Sequence, residues 1–348
     1  MTRHRRKSCR TADLQVRIMN SLQHRRSFLK AAAALAVAAP SIARAAPRQE
    51  APWPDKPIRM VIPFAAGGTT DLLARAVGQH MSQVWSQPVI ADNRPGANGV
   101  VAGEIVAKSA GDGYTLSMVA MGHAINPLIY KSLPYDGSAD FTPISLMATF
   151  PQLVLVHPAV KAATLPELIQ LAKTAQPPIT YASGGNGSSQ HLAGALLEHM
   201  AGVRMTHVAY KGGNPAQLDP MAGNVQLMIT QPNSRDLITS GKMRALAVSS
   251  AGRSRFYPEL PTVAEAGVPG YQSVAWYGLV GPKGMPAELV EKIAAEAKRA
   301  AATEGAKSVV AQQGGDMVAS GPAEFGAFIE AERKRYATIV KEAGMMVE

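Results

Sequence analysis

The chain has 348 residues, of which 47% are apolar and only 5% aromatic, a length and composition typical of two domains with aliphatic cores. Its formal net charge of +10 is misleading, because ten basic residues and one acidic residue fall within the first 45 and the rest holds 25 basic and 24 acidic residues. The high net charge is therefore a property of the first 45 residues and says nothing about nucleic-acid binding. No apolar run reaches the ~18 residues of a membrane span.

Residues 1–45 are predicted to be an export signal. A basic region ends at Lys30, the run AAAALAVAA follows, and Ala43-Arg44-Ala45 offers a cleavage site. Arg25 begins the sequence RRSFLK, which matches a twin-arginine signal; the alternatives are a general secretory signal and, for the start of translation, Met19. The chain's one cysteine, Cys9, lies in this leader. We therefore expect a periplasmic protein without disulfides or a cysteine metal site.

The segment from Ile58 to Met81 predicts a strand, a glycine loop and a helix. The apolar run 58–62 lies between two prolines, as expected of a buried parallel strand. Gly67 and Gly68 permit a tight turn, and the residues that follow are common helix N-caps. A helix start carries unpaired N–H groups and partial positive charge, so it can hold a carboxylate or phosphate. The alternative is an ordinary, well-capped turn.

Further elements follow with the order expected of a parallel, doubly wound sheet. Strands are predicted at 88–91 and 114–120, with a helix at 100–109 between them. His123 stands in the segment that closes the third strand, where open α/β sheets place their ligands. It could donate to an anion, or it could simply cap a loop.

The pattern restarts at Gln152. Strands are predicted at 153–157, 179–182, 205–208, 225–230 and 244–249, with helices at 165–174 and 191–200. A second glycine loop, 183–190, follows a strand and enters a helix with serine donors at its start. A third glycine loop begins at Tyr210, where Lys211 either adds charge to a site or is a solvated surface lysine. Two helix starts that face each other across a cleft would hold the ends of a small dianion.

The last part of the chain predicts a short capped helix at 261–267, a strand at 276–282 and two amphipathic helices at 286–302 and 322–343. The strand at 276–282 is predicted to return to the first domain. The expected organisation is therefore a first domain of 46–151 plus 277–348 and a second domain of 152–276.

Motifs along the whole mature chain resemble those of the substrate-binding proteins of the tripartite tricarboxylate transporter system, the Bug family of periplasmic solute receptors. They occur in the family's order: PDKPIRMVIPFAAGGTTDLLAR, NRPGANGVVA, DGYTL, HAINPLIY, DFTPISLMA, YASGGNGSSQHLAG, HVAYKGGNPA, GKMRALAVSS, PELPTVAEAGVPGY and WYGLVGPKGMP. The resemblance implies an α/β fold of two doubly wound domains, like a type II periplasmic binding protein, with the ligand in the cleft between them.

The resemblance also implies which residues bind the ligand. In the family the first glycine loop and ordered waters hold one carboxylate, and a loop of the second domain holds the other end. The corresponding positions here are Phe64, Ala65, Gly67, Gly68, Thr70 and Asp71 in the first loop, and Ser183, Gly187, Ser188 and His191 in the second. Asp71 is expected to cap its helix and orient water rather than to touch an anion.

One segment departs from the family pattern. The family often has a Phe-Asp pair after the strand of the second domain, where this chain has Ile229-Thr230-Gln231. Because a carboxylate near the cleft would pair with an amino group, its loss favours carboxylate ligands without a cation over ligands such as aspartate.

The predicted function is capture of a small di-, tri- or aromatic carboxylate by hinged domain closure, and its delivery to a permease of one large and one small membrane subunit. A monomer without cofactor or metal is expected. One alternative is a sensor that presents its closed form to a membrane kinase. Another is a hydrolase, because His123, Ser188 and His191 lie near the proposed cleft. However, the sequence contains neither a G-x-S-x-G nor an H-E-x-x-H motif, so an enzyme is not expected.

Overall fold

The computed structural model describes residues 53–213, 215–231 and 235–346, and in them the chain forms two separate β-sheets. The predicted export signal, with its twin-arginine motif, cleavage site, Cys9 and possible start at Met19, lies outside the described residues. Within the described part, no helix is both long and apolar enough to cross a membrane.

The strands are β1 (Ile58–Ile62), β2 (Val89–Asn93), β3 (Thr115–Ala120), β4 (Phe141–Pro151), β5 (Leu153–Val156), β6 (Thr180–Ser183), β7 (Thr206–Ala209), β8 (Leu227–Thr230), β9 (Arg244–Val248), β10 (Val274–Pro282) and β11 (Asp316–Met317). The helices are α1 (Thr69–Trp85), α2 (Val100–Ala107), α3 (Gly122–Ile129), α4 (Leu165–Thr174), α5 (Ser189–Ala201), α6 (Pro215–Ala222), α7 (Arg235–Thr239), α8 (Ala287–Ala301), α9 (Glu304–Gln312) and α10 (Pro322–Glu342). A short 3₁₀ turn, Ala97–Gly99, precedes α2.

The first sheet has the strand order β11-β4-β10-β3-β1-β2. Strands β1, β2 and β3 are parallel, as the alternation of strands and helices predicts. Strand β10 lies antiparallel between β3 and β4. Helix α1 buries Leu73, Val77 and Met81, the apolar residues whose helical spacing predicts this packing. The part of the chain built on this sheet is called the first lobe.

The second sheet, which forms the second lobe, has the order β7-β6-β8-β5-β9. Strands β6, β7 and β8 are parallel, and β5 runs antiparallel to both of its neighbours. The predicted fold class, two α/β domains, is thereby confirmed, although neither sheet is purely parallel. In both lobes the glycine loops leave the carboxyl ends of parallel strands, where α/β sheets bind ligands.

The chain passes between the sheets in two places. Strand β4 ends at Pro151 in the first sheet and β5 begins at Leu153 in the second. The return runs from the end of β9 at Val248 to the start of β10 at Val274. These crossings support the domain boundaries predicted from the sequence, 46–151 plus 277–348 and 152–276, which remain a proposal.

One alternative is excluded and one local prediction is wrong. The segment around His123 is not a loop but the helix α3, which contains Pro127 and packs against α10. The segment 261–267 forms turns rather than a helix. Thr262 and Glu265 still make the reciprocal bonds of a capping box, but Gly267 adopts a positive φ of 110° and ends the turn before a helix develops.

A buried hydrogen-bond network joins the two crossings. The N–H of Gln152 donates to Ser249 Oγ at 2.8 Å, and the N–H of Ser249 donates back to the Gln152 carbonyl at 2.8 Å. The Ser249 hydroxyl donates to the Ser273 carbonyl, and Ser273 Oγ lies 3.0 Å from the Tyr336 hydroxyl. All four side chains are fully buried. This network fixes the two strands about which the lobes would rotate.

Replacing Ser249 by alanine is expected to destabilise the protein by about 2 kcal/mol, because the Gln152 N–H and the Ser273 carbonyl lose a buried partner. Urea unfolding would measure the change. Ser250→Ala is the matched control, since the Ser250 hydroxyl bonds only to the carbonyl of Gly252 near the surface. We expect it to cost under about 0.5 kcal/mol. Equal losses for the two variants would contradict the role given to Ser249.

Candidate functional site

The first candidate segment is the loop of residues 63–68, called the first loop, which joins β1 to α1. Ala65 and Gly67 are exposed, Phe64 and Gly68 are half-buried, and Thr70 is buried in the first turn of the helix. Gly67 has φ +84°, which a residue with a side chain adopts only at a cost. Gly68 is the N-cap and offers no side chain. Because glycine has no side chain, Gly68 cannot cap the first N–H groups of α1. These N–H groups lie at the positive end of the helix dipole.

Asp71 holds the first loop in place through hydrogen bonds. Its carboxylate accepts the N–H of Gly67 at 2.9 Å, the Asn93 amide at 2.9 Å and the Arg75 guanidinium at 2.9 Å. Burial opposes ionisation, but the bonds from Arg75, Gly67 and Asn93 outweigh it and hold the pKa of Asp71 below its usual range. Its oxygens are occupied by these donors, which is consistent with the capping role expected for Asp71.

Asp71→Asn is expected to reduce stability by about 1–2 kcal/mol at pH 7, because the amide NH₂ would face one of these donors. Since the pKa of Asp71 is depressed in the folded state, this stability is present above the carboxyl's unfolded pKa and is lost as the pH falls through the folded value. The difference from wild type in urea unfolding should therefore shrink at acid pH. Glu304→Gln, which changes an exposed carboxylate paired with Lys307, is the control and should change the free energy of unfolding by under about 0.5 kcal/mol at every pH.

The second candidate segment, residues 184–188 between β6 and α5, is called the second loop. Ser188 is the N-cap of α5 and accepts the N–H of His191 at 3.3 Å. Gln190 holds the loop to the sheet, because its Oε1 accepts the Gly184 N–H at 2.6 Å and its Nε2 donates to Thr230 Oγ1 at 3.0 Å. Ser183, at the end of β6, is fully buried. Its hydroxyl accepts the N–H of Gly185.

Two histidine rings lie stacked beneath the second loop. The rings of His191 and His207 are 3.7 Å apart and nearly parallel. His191 Nδ1 accepts the N–H of Gly187 at 3.2 Å, and His207 Nε2 lies 2.6 Å from Ser183 Oγ. Burial, assisted by His207, lowers the pKa of His191 to about 3, and burial lowers the pKa of His207 to about 4. At neutral pH both rings are uncharged and support the backbone of the loop as hydrogen-bond partners.

The two loops meet at one cleft. A Cβ on Gly99 would lie 3.2 Å from Pro63 of the first loop, and the neighbouring Asn98 donates from Nδ2 to the Gly187 carbonyl at 3.1 Å. A second bridge runs from Thr69 Oγ1 to Gln231 Oε1 at 3.2 Å. The same Gln231 donates to the hydroxyl of Tyr277 at 2.7 Å. The structure thus links the two loops through Asn98, and it links the start of α1 to the second lobe through Gln231.

His123 lies on α3 and is half-buried. Its ring packs edge-on against Phe141 at 4.7 Å. Burial, then the charge of Arg333, lowers its pKa to about 4. Its surroundings include Phe64, Asn98 and Asn126, with which it lines a cavity of about 20 Å³, a volume sufficient for one water molecule. His123 therefore lies beside Phe64 of the first loop, within the first lobe.

Lys211 is exposed beside the second loop, where the N–H of the next residue, Gly212, donates to the Gly184 carbonyl at 3.2 Å. Neither glycine loop itself contains Lys or Arg. The described residues include no group of three His, Cys, Asp or Glu side chains that could hold a metal ion. The chemistry available is therefore that of N–H groups, hydroxyls and two helix starts, which together suit a small anion with two negatively charged ends.

Several residues of the cleft escape prediction from the sequence. Asn98, His207, Gln231 and Tyr277 make the contacts that hold the loops, but each is brought to the site by a different element. The one available signal is local: Asn98 occupies a position between glycines in PGANG, where a polar residue that tolerates a left-handed backbone is favoured.

Comparisons with known proteins found related sequences and structures. A family model described as "Tripartite tricarboxylate transporter family receptor" matches residues 73–345. Protein BugT of Bordetella pertussis is 33% identical over 303 residues, which cover 86% of this chain and 93% of BugT. The structure of R. palustris Rpa4515 with adipate is 35% identical with a TM-score of 0.76 and covers 84% of this chain and 98% of that one. MatC of Rhodopseudomonas palustris with bound malate is 29% identical with a TM-score of 0.73, covering 83% and 100% respectively.

Proposed function

This chain belongs to the tripartite tricarboxylate transporter receptor family, and from that premise we propose that it captures a small dicarboxylate between its two lobes. The observation that carries the proposal is a pair of glycine loops without Lys or Arg, each at the start of a helix and linked across the lobes by the bond from Asn98 to Gly187. Adipate and malate, the ligands of the two related structures, are both dicarboxylates. One carboxylate would contact residues 64–71 and the other residues 183–191.

The side chains around the proposed site favour a ligand without an amino group. Where the family resemblance implies a Phe-Asp pair, this chain has Ile229-Thr230-Gln231, and the buried Thr230 hydroxyl accepts from Gln190. Asp71, in the first turn of α1, is already held by Arg75, Asn93 and Gly67. A ligand ammonium group would therefore lose its hydration without gaining a carboxylate, at a cost of several kcal/mol. Adipate-like and malate-like acids are the preferred class, and aspartate is disfavoured.

The receptor would work in the periplasm after removal of residues 1–45. It would pass its ligand to a permease of one large and one small membrane subunit, with no catalytic step of its own. Closure of the lobes would be driven by the ligand's higher affinity for the closed state. The buried network of Gln152, Ser249, Ser273 and Tyr336 lies where the chain crosses between the lobes and would act as the hinge.

A binding screen tests this proposal. The mature chain, residues 46–348, would be heated with C4 to C6 dicarboxylates, citrate, aromatic carboxylates, monocarboxylates and acidic amino acids, and hits would be titrated by calorimetry. A ligand at a hundred times its dissociation constant should stabilise by about 2.7 kcal/mol. We expect at least one dicarboxylate to bind. We also expect aspartate to bind at least ~10-fold more weakly than a C4 dicarboxylate of the same length. Binding of monocarboxylates alone would remove the role of the second loop, and tight binding of aspartate alone would refute the preferred class.

A further inference from the structure

Asn98 adopts a backbone conformation that glycine would adopt more easily. Its φ is +51° and its ψ is 34°, in the left-handed region that costs most residues about 1 kcal/mol and that asparagine tolerates best among those with side chains. It is flanked by Gly99, which also has positive φ, at +94°. A glycine at position 98 would fit this turn without strain, so the side chain's contribution must come from its contacts.

Those contacts join the lobes. Asn98 Nδ2 donates to Asn126 Oδ1 at 3.2 Å and to the Gly187 carbonyl at 3.1 Å. Asn126, buried on α3, returns a bond from its own Nδ2 to the Asn98 carbonyl at 3.1 Å. The reciprocal pair fixes the orientation of the Asn98 amide, so that one of its hydrogens is aimed at the second lobe.

Gly187 receives this bond in a confined position. A Cβ there would lie 2.5 Å from Ile129 Cδ1 of the first lobe, so the two lobes are in direct contact at this residue. On its other side, the Gly187 N–H donates to His191 Nδ1. Gly187 is thus held between the first lobe, through its carbonyl and its Cα, and His191, through its N–H.

The bond to His191 requires a neutral ring, because both nitrogens of a protonated imidazole are donors. Proton uptake at Nδ1 would set two N–H groups against each other and displace Gly187. The titratable groups that face His191 are His207 of β7, stacked on it, and Tyr181 of β6, 6.3 Å away. Glu198 of α5 acts on Tyr181 rather than on His191. No carboxylate among these contacts would compensate a charge on His191, and a second charge on His207 would repel it.

We propose that the Asn98–Gly187 contact is a latch that holds the lobes closed, and that proton uptake by His191 releases it. This inference rests on the proposed function only in assuming that the lobes open and close. The inference gives Asn98 a role in setting the fraction of molecules with closed lobes. It also identifies acidification as a condition that lowers this fraction. Ligand would then be retained at neutral pH and released more readily in acid.

Lobe opening can be measured without any ligand. The mature chain has no native cysteine, so spin labels can be placed at Glu104→Cys on α2 and Leu218→Cys on α6, surface positions of the two lobes whose side chains are 40% and 64% exposed. Pulsed electron spin resonance would then give the distribution of distances between the lobes from pH 7.5 to 3.5, a range that approaches the pKa of about 3 to which burial lowers His191. Three labelled proteins would be compared: the parent, Asn98→Gly and His191→Gln.

The parent is expected to shift from shorter to longer distances as the pH falls. Asn98→Gly removes the latch without straining the turn, and it should raise the open-to-closed ratio at pH 7.5 about fivefold, the effect of losing one neutral hydrogen bond. His191→Gln keeps an acceptor for Gly187 but cannot titrate, so its distribution should not change with pH. Identical distributions for the parent and Asn98→Gly at pH 7.5 would overturn the latch. An acid shift that survives in His191→Gln would overturn the switch.

A ligand titration separates this inference from the proposed function. If dicarboxylates bind but the distances fail to respond to Asn98→Gly, the latch is wrong and the function stands. If the distances respond as expected but no dicarboxylate binds, the latch stands and the ligand class is wrong. Circular dichroism at each pH would verify that the labelled proteins remain folded.

Discussion

Replacing Gly187 by alanine is expected to weaken ligand binding by about 10-fold. The added Cβ would lie 2.5 Å from Ile129 Cδ1, and the backbone would have to keep a φ of +72°. Overpacking of this kind costs about 1–3 kcal/mol, and the low end applies because Cδ1 is the end of a flexible side chain. Because Ile129 belongs to the other lobe, opening the cleft relieves the clash. The cost therefore falls on the closed, ligand-bound state, and about 1.4 kcal/mol corresponds to one order of magnitude in affinity. Calorimetry with the dicarboxylate found in the screen would measure it.

Gly202→Ala is the matched control for this prediction. Gly202 also has a left-handed backbone, with φ +62°, but nothing lies within 4 Å of the position that its Cβ would occupy. The substitution should therefore cost about 1 kcal/mol of stability and leave affinity within about twofold of wild type. If Gly202→Ala weakened binding as much as Gly187→Ala, backbone strain rather than contact between the lobes would explain the loss.

The parts of the fold that sequence analysis predicts well are those encoded by neighbouring residues. The strand–loop–helix unit at Ile58–Met81 has its apolar run, its glycines and its capping residues within 24 consecutive positions, and the structure contains β1, the first loop and α1 there. The same holds for β6, the second loop and α5. Local signals of this kind are sufficient because strand burial, turn geometry and capping act over a few residues.

Local signals fail where distant elements decide the outcome. The segment around His123 resembles a loop because it contains Gly122, Asn126 and Pro127, yet packing against α10 and the 3₁₀ turn before α2 stabilises it as α3. Conversely, the reciprocal bonds of Thr262 and Glu265 predict a helix start, but the following residues, which end at Gly267 with its positive φ, do not continue it.

The candidate site shows the same division. The glycine loops and Asp71 can be found from the sequence, since each site feature lies beside its helix. The stacked pair of His191 and His207 cannot, because its two rings come from α5 and β7 and meet only once the second sheet has formed. Asn98 and Gly187 are 89 positions apart and in different lobes. Contacts of this range depend on lobe orientation, which periodicity and spacing do not encode.

Acidification from pH 7.5 to 5 is expected to destabilise the protein by on the order of 4 kcal/mol through three histidines, of which His191 is buried and His123 and His207 are half-buried. The pKa values of His123 and His207 are lowered to about 4 and that of His191 to about 3, whereas an unfolded histidine titrates near 6.5. Between these values the unfolded chain binds more protons, so the stabilisation is complete above pH ~6.5 and falls as the pH approaches the folded pKa values. At pH 5 each histidine accounts for a loss of up to about 2 kcal/mol of stability. The stacked pair of His191 and His207 together accounts for less than twice that loss. Burial raises the pKa values of Glu198 and Glu332, which opposes the trend in part.

Urea unfolding of wild type and His207→Gln at pH 7.5, 6.5, 5.5 and 5 would isolate the histidine contribution. Glutamine retains a hydrogen-bonding group for Ser183 but takes up no proton, so the variant should be less stable than wild type at pH 7.5 and should lose less stability on acidification. The two curves should therefore converge as the pH falls. The matched control is His157→Gln at the end of β5, where the ring accepts only the N–H of Ala159 near the surface; its curve should stay parallel to that of wild type. Convergence in the control, or none in His207→Gln, would show that the stacked pair does not govern the acid response.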